Sequence, residues 1–125
     1  MMRYIMLIGL LGICGQTYAH EFLPTYPKLR QSFVPGVLYT QMELFNKREN
    51  IRFYELEVFD SNWKKVSFAT AEKITKIEYL EKKQIDVYIR KEDKSRATYI
   101  CSKSKILVEN TTKPIMASRI CSKIK

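Results

Sequence analysis

Histidine, glycine and the short catalytic motifs are scarce or missing in this 125-residue sequence, and each absence excludes a class of function. The chain has one histidine, His20, and four glycines. It contains no glycine-rich phosphate loop, no Cys-x-x-Cys pair and no His-Glu-x-x-His run, so nucleotide-binding loops, dithiol redox centres and zinc-protease sites are not indicated. No nucleophile motif accompanies His20. The sequence therefore predicts no catalytic residue, no cofactor and no enzymatic activity.

Long apolar runs are also scarce, and the one that occurs lies at the N-terminus. Arg3 precedes an apolar stretch over residues 5–13, and Thr17 and Ala19 place small residues at the positions a signal peptidase reads. The stretch is shorter than the roughly 20 residues of a membrane span. Residues 1–19 are therefore predicted to be a signal peptide.

Cys14 leaves a second interpretation of this leader open. The residues around it loosely resemble a lipoprotein signal, but the bulky Ile13 disfavours lipidation, so cleavage after Ala19 is preferred. Residues 20–125 are then expected to form a single domain. We expect that domain to be exported to the periplasm or secreted, without stable membrane insertion.

Acidic residues are fewer than basic ones, 13 against 22. The lysines and arginines are spread along the chain, a pattern that indicates a solvated basic surface more often than a nucleic-acid face. No stacking motif accompanies them, so no nucleic-acid partner is predicted.

His20 would be the first residue after cleavage. Some exported copper proteins bind metal through an N-terminal histidine, but such a site normally recruits a second imidazole, which this chain lacks. An exposed terminal side chain is the preferred interpretation, and no metal site is predicted.

Short β-prone runs separated by turn residues make up the rest of the chain. Residues 22–27 form a lead-in punctuated by proline, and residues 71–83 fit a helical stripe or a strand, with strand preferred because a clean alternation follows. Such spacing without helical segments predicts an all-β sandwich. The expected strands are 28–34, 37–45, 51–59, a short one around Val66 and Phe68, 84–90, 97–102 and 115–121.

Two cysteines remain after the leader, one in each of the last two strand-like runs. Turn-forming residues at 109–114 separate the runs, so a hairpin would bring Cys101 and Cys121 together. Two buried free thiols are the alternative. An even number of cysteines in an oxidising compartment favours a Cys101–Cys121 disulfide.

Three stretches of the chain carry a family resemblance: residues 30–36 (RQSFVPG), 92–99 (EDKSRATY) and 118–125 (SRICSKIK). They resemble parts of the N-terminal immunoglobulin-like domain of periplasmic pilus chaperones of the chaperone–usher pathway. The first is similar to that family's first strand, the second to the charged loop that opens its F strand, and the third to its G strand, which ends in lysine. The resemblance implies an immunoglobulin-like antiparallel β-sandwich of about seven strands. A cysteine in each of F and G is similar to one subclass of the family.

The resemblance implies a function and a set of site residues. Arg30 and Lys125 would anchor the C-terminal carboxylate of a client protein. Alternate side chains of the G strand would complete the client's sheet, although ordinary sandwich core is the alternative for the apolar ones. This donor-strand face consists of Met116, Ser118, Ile120 and Ile124.

The leading functional hypothesis is thus an exported, non-catalytic module that caps pilin-like subunits by edge-strand donation, with an outer-membrane usher as a further partner. The alternative is a secreted basic sandwich that binds an anionic surface or polymer by charge alone. Ionic strength separates the two, because electrostatic attachment weakens with salt.

Overall fold

The computed structural model describes residues 20–105 and 117–125, which form two antiparallel sheets. The predicted leader with Cys14, the predicted turn at 109–114 and Met116 lie outside the described residues. A short 3₁₀ helix, Lys91–Asp93, connects the two sheets. The strands are β1 (Glu21–Leu23), β2 (Arg30–Gln31), β3 (Val37–Phe45), β4 (Phe53–Phe59), β5 (Ile74–Lys76), β6 (Lys82–Arg90), β7 (Tyr99–Lys105) and β8 (Arg119–Lys123).

The first sheet is built around β3, whose apolar residues alternate with polar ones. β3 pairs with β6 over its whole length, from Val37 opposite Arg90 to Phe45 opposite Lys82. On its other side β3 carries the short strands β1 and β2. Because successive side chains of a strand point to opposite faces, every second residue of β3 is buried.

The second sheet has the strand order β5-β4-β7-β8. β4 is central, with Phe59 opposite Tyr99 and Phe53 opposite Lys105 in β7. β7 in turn pairs with β8, and Cys101 lies opposite Cys121. β5 and β8 are therefore the edge strands of this sheet within residues 20–105 and 117–125.

The inner faces of the two sheets meet in one apolar core, with a buried amide at one end. The Asn46 side chain donates hydrogen bonds to the carbonyl oxygens of Ile51 and Ile77, at 2.7 and 2.9 Å, and accepts one from the Tyr54 hydroxyl. A satisfied buried amide of this kind holds the loops around it at little cost. The largest fully buried apolar side chains are Tyr54, Met42, Leu44, Ile51, Leu56, Ile77, Ile89 and Ile100.

The predicted all-β sandwich and the predicted disulfide are confirmed, while several strand boundaries are corrected. Residues 22–27 are more than a lead-in, because β1 pairs there with the far end of β3. The expected strand at 28–34 shrinks to β2, since a hydrogen-bonded turn begins at Ser32.

The middle of the chain is less regular than expected. In place of a strand at Val66 and Phe68, single bridges join Lys65 to Phe59 and Ala69 to Tyr88. The ambiguous stretch 71–83 contains the short strand β5 and the start of β6. The preference for strand over helix there was correct.

The Cys101–Cys121 bridge ties the edge strand β8 to β7. The two residues are direct cross-strand neighbours, and Cys101 is fully buried. Because β8 is five residues long and pairs with one strand of its sheet, the covalent bond supplies much of what holds it in place.

Reduction of this bridge should destabilise the domain. A disulfide of this kind contributes about 2–4 kcal/mol to the free energy of unfolding, chiefly by restricting the unfolded chain. Urea unfolding of oxidised and reduced protein would measure the difference. Alkylation of both cysteines in native, non-reduced protein would contradict the bridge.

Candidate functional site

The free edge of β8 is partly covered by the chain itself. The main-chain N–H and C=O groups of the even-numbered residues in and beside β8 point towards β7, as the hydrogen bond from Ser104 N–H to Ser118 O shows. The main-chain groups of the odd-numbered residues therefore point to the outer edge of the sheet. There Lys123 N–H donates to Thr25 O at 3.1 Å, and Lys125 N–H donates to Pro27 O at 2.9 Å. Residues 25–27 thus run alongside the end of β8, parallel to it.

Within the described residues, no segment covers the start of β8 in this way. The outward main-chain groups of Arg119 and Cys121 have no backbone partner among residues 20–105 and 117–125. An edge of this kind can accept an additional strand. We call the outward main chain of Arg119 and Cys121 the open edge.

Three of the predicted donor-face residues point into the sandwich. Ile120 and Ile124 pack against the apolar core, as the alternative interpretation expected. The Ser118 N–H donates to the Ser104 hydroxyl at 2.7 Å. Met116 lies outside the described residues. Contact of these side chains with a client stays a prediction.

Arg30 lines a groove of about 510 Å³ on the first sheet. Lys28 lines it too, and neither cation has an ion-pair partner in the described part of the chain. Asp86 is the one carboxylate in the wall, and it accepts a hydrogen bond from the Gln41 amide at 3.3 Å. The groove therefore carries an excess of positive charge. Its wall is formed by Pro24, Tyr26, Lys28, Arg30, Tyr39, Thr40, Gln41 and Asp86.

Lys125 is related to this groove through its main chain. Its N–H bonds Pro27, which leads directly into Lys28 and Arg30, but its exposed side chain is not part of the groove wall. The second cation beside Arg30 is Lys28, which the sequence-based interpretation missed. The spacing of Lys28 and Arg30 was the available signal, because residues two apart in an extended segment share a face.

His20 lies inside the protein, so the prediction of an exposed terminal side chain was wrong. Its Nε2 is 2.7 Å from the Ser102 hydroxyl and its Nδ1 is 3.2 Å from the Ser118 hydroxyl. The imidazole also packs 4.7 Å from the Tyr54 ring. His20 is buried because β1 starts at the next residue and pairs with the end of β3. Both ring nitrogens are occupied by serines, which leaves neither for a metal or a substrate.

Burial lowers the pKa of His20 to about 4, since desolvation disfavours the imidazolium. Among the described residues there is no group of three or more potential metal ligands. The role of His20 is therefore to join the start of β1 to β7 and β8.

Acid should destabilise the fold through this histidine. The folded-state pKa lies below the ordinary value of 6.5, so the unfolded chain binds the proton first. The contribution of His20 to the free energy of unfolding is fully present above pH 6.5. It falls by roughly 3 kcal/mol as the pH drops towards 4. Chemical denaturation between pH 7 and 4 would measure this slope. His20→Gln is the control, because other titrating groups remain; an equal slope in that variant would contradict the assignment.

Comparison with known proteins supports the fold and leaves the family open. No protein-family model matches the chain, and no curated protein matches it. Several solved structures share its fold, of which two are described. One is the E. coli chaperone DraB, with a TM-score of 0.63 and 11% identity over 86% of this chain and 53% of that one. The other is PapD-like domain 7 of human CEP192, with a TM-score of 0.59 and 9% identity over 98% of this chain and 94% of that one.

These similarities describe the architecture alone. The chain spans about half the length of the DraB chain and nearly all of the CEP192 domain. It therefore has a PapD-like, immunoglobulin-like fold of the kind that one of these structures uses in a chaperone.

Proposed function

We propose that this protein is a non-catalytic binding module that caps a protein client by accepting a strand at the open edge of β8. The supporting observation is the unpaired main chain of Arg119 and Cys121 on the edge of a PapD-like sheet. Main-chain hydrogen bonds would supply affinity for an extended segment. In this proposal the client is a pilin-like subunit and an outer-membrane usher receives it, as in the pilus chaperones that the sequence resembles.

The direction of such a client strand follows from residues 25–27, which already lie parallel to the end of β8. A client paired in the same direction would point its C-terminus towards this segment. The segment continues into Lys28 and Arg30, the unpaired cations of the groove. A C-terminal carboxylate would then receive charge-assisted hydrogen bonds from Arg30, with Lys28 and Lys125 nearby.

The same proposal includes export. The leader at residues 1–19 would direct the chain to the periplasm, where the Cys101–Cys121 bridge is stable and pilin-like clients are found.

Arg30→Ala should leave the fold intact and weaken client binding by about one to two decades. A hydrogen bond between charged groups contributes roughly 1.5–3 kcal/mol, whereas an exposed arginine contributes little to stability. Calorimetric titration of a pilin-like subunit, or of a peptide of its C-terminal strand, would measure the loss. Arg30→Lys should recover part of it, since lysine lacks the bidentate fork. Arg52→Ala, an exposed arginine beside Glu78, is the matched control.

Amidation of the client's C-terminus tests the same contact from the other side. The amidated client should bind the unmodified protein as weakly as the free acid binds Arg30→Ala, and should lose nothing further towards that variant. Additive losses would place the two changes at separate sites and refute the carboxylate anchor.

Salt separates strand addition from attachment by charge alone. Raising the salt concentration from about 0.1 M to about 1 M shortens the screening length from roughly 10 to 3 Å. A client held by main-chain hydrogen bonds should keep most of its affinity. Loss of nearly all binding would favour the electrostatic alternative instead.

A further inference from the structure

One end of the sandwich collects exposed apolar side chains and unpaired lysines. β3 and β7 begin there, and β4, β6 and β8 end there. Hydrogen bonds hold this end together: Lys91 N–H donates to Gly36 O, Thr98 N–H to Phe59 O and Ile124 N–H to Thr98 O. We call it the cationic end, made of the turn 32–36, the loop 60–64, the connection 91–98 and residues 123–125.

The turn 32–36 presents Phe33 to solvent from a rigid backbone. The Ser32 hydroxyl donates to Val37 O at 2.6 Å and accepts the Val34 N–H at 3.2 Å. Gly36 closes the turn with a φ of +79°, which glycine adopts without steric cost. Phe33 is fully exposed and Val34 largely so. The fold therefore holds an apolar tip in water.

The loop 60–64 presents Trp63, the one tryptophan of the chain, to solvent. The main-chain N–H of Trp63 donates to Asp60 O at 3.0 Å, and the Asp60 carboxylate accepts hydrogen bonds from the main-chain N–H groups of Asn62 and Lys64. The indole stacks on Tyr99 with ring centroids 4.4 Å apart, yet Trp63 stays 53% exposed. A φ of +62° is unusual for a bulky residue.

The charges of the cationic end are unbalanced. Its acidic side chains are already compensated: Asp93 lies 3.0 Å from Arg90 and 3.6 Å from Arg96, and Glu92 lies 3.1 Å from Arg90. The Asp60 carboxylate is used by main-chain N–H groups, as described above. The lysines that remain without an acidic partner in the described ranges are Lys64, Lys91, Lys94, Lys123 and Lys125.

The opposite end of the sandwich also exposes apolar residues but differs in charge. Leu80 lies there, since its N–H donates to the carbonyl of Asn46, the residue after β3. Leu80 is 57% exposed and has the same φ of +62°. Most lysines near that end are ion-paired, for example Lys47 with Glu21 and Lys76 with Glu78. Lys82 lies instead over the Phe45 ring, 5.3 Å from its centroid. A cluster of lysines without acidic partners distinguishes the cationic end.

We propose that the cationic end docks on the surface of an anionic lipid bilayer, with Phe33 and Trp63 in the headgroup layer. Tryptophan favours that layer because its ring is apolar and its N–H is polar. Lysines around such tips are attracted by anionic lipids, and docking of this kind lies on the membrane without spanning it. Among the described residues no helix is long and apolar enough to cross a membrane.

A soluble polyanion fits the same surface less well. Binding by charge alone would explain the lysines, but it would not explain why the apolar side chain of Phe33 is fully exposed. Nucleic acid would require several stacking platforms along a phosphate track, and the cationic end offers one aromatic stack. Apart from Lys125, the proposal uses other residues than strand addition, which uses the open edge of β8 and Arg30.

Sedimentation with lipid vesicles tests the proposal on the intact protein. Binding to vesicles of phosphatidylglycerol and phosphatidylcholine should exceed binding to pure phosphatidylcholine at least tenfold and weaken with salt. The fluorescence of Trp63 should shift to the blue on binding. Because the chain has no other tryptophan, this shift reports on the loop 60–64 alone.

Matched variants separate the cationic end from the rest of the surface. Lys64→Gln, Lys91→Gln and Lys94→Gln should each weaken binding about fivefold, and Phe33→Ser about tenfold. Lys103→Gln, an unpaired lysine in the middle of β7, and Leu80→Ser at the opposite end are the controls. Both should bind vesicles like the unmodified protein. Unchanged unfolding curves would show that the variants are folded.

Three results would overturn the proposal. One is equal binding to both kinds of vesicle, and another is vesicle binding without a shift of the Trp63 fluorescence. The third is equal loss in the control and test variants. Client binding by Phe33→Ser should be unaffected, so failure of membrane docking leaves the proposed strand addition standing.

Discussion

The docking of β8 is the constraint on which the rest of the structure depends. Besides its pairing with β7, this short strand is held by the Cys101–Cys121 bond, the contacts of Ser118 with Ser104 and His20, the Arg119–Glu57 ion pair and the pairing of its end with residues 25–27. Without these attachments Ile120 and Ile124 would leave the core and the edge of β7 would be unpaired. The open edge follows from this docking. A covalent bond suits such a strand, since few main-chain hydrogen bonds are available to it.

The strands that could be predicted are those in which the local sequence pattern shows which side chains are buried. In β4 and β6 buried apolar residues recur two positions apart, and this alternation is visible in the sequence alone. β1 is different, because its three residues become a strand only by pairing with the end of β3, 20 to 24 positions away. The burial of His20 depends on Ser102, 82 positions along the chain. A local pattern contains no information about such partners.

The candidate sites divide in the same way. The disulfide was predicted from the sequence and is confirmed, whereas the anchoring role of Arg30 stays a prediction. The open edge was not predicted, because it depends on where residues 25–27 stop covering β8. The cationic end was not predicted either. The sequence does not show which lysines have an acidic partner. Folding brings a carboxylate next to some of them, as in the ion pair of Lys105 with Glu55 at 2.7 Å. The contact with Lys105 also lowers the pKa of Glu55.

The contact between residues 25–27 and the end of β8 has a consequence for the order of folding. It joins the beginning of the domain to its last strand, so the chain must close a loop of nearly its whole length to complete the sandwich. Closure of that kind is slow, and β-sandwiches with such distant pairings fold in milliseconds to seconds. During synthesis the contact cannot form until residues 119–125 have emerged, although residues 25–27 are made early. Completion of the sandwich is therefore a late event, because β8 is the last of the described strands to be made.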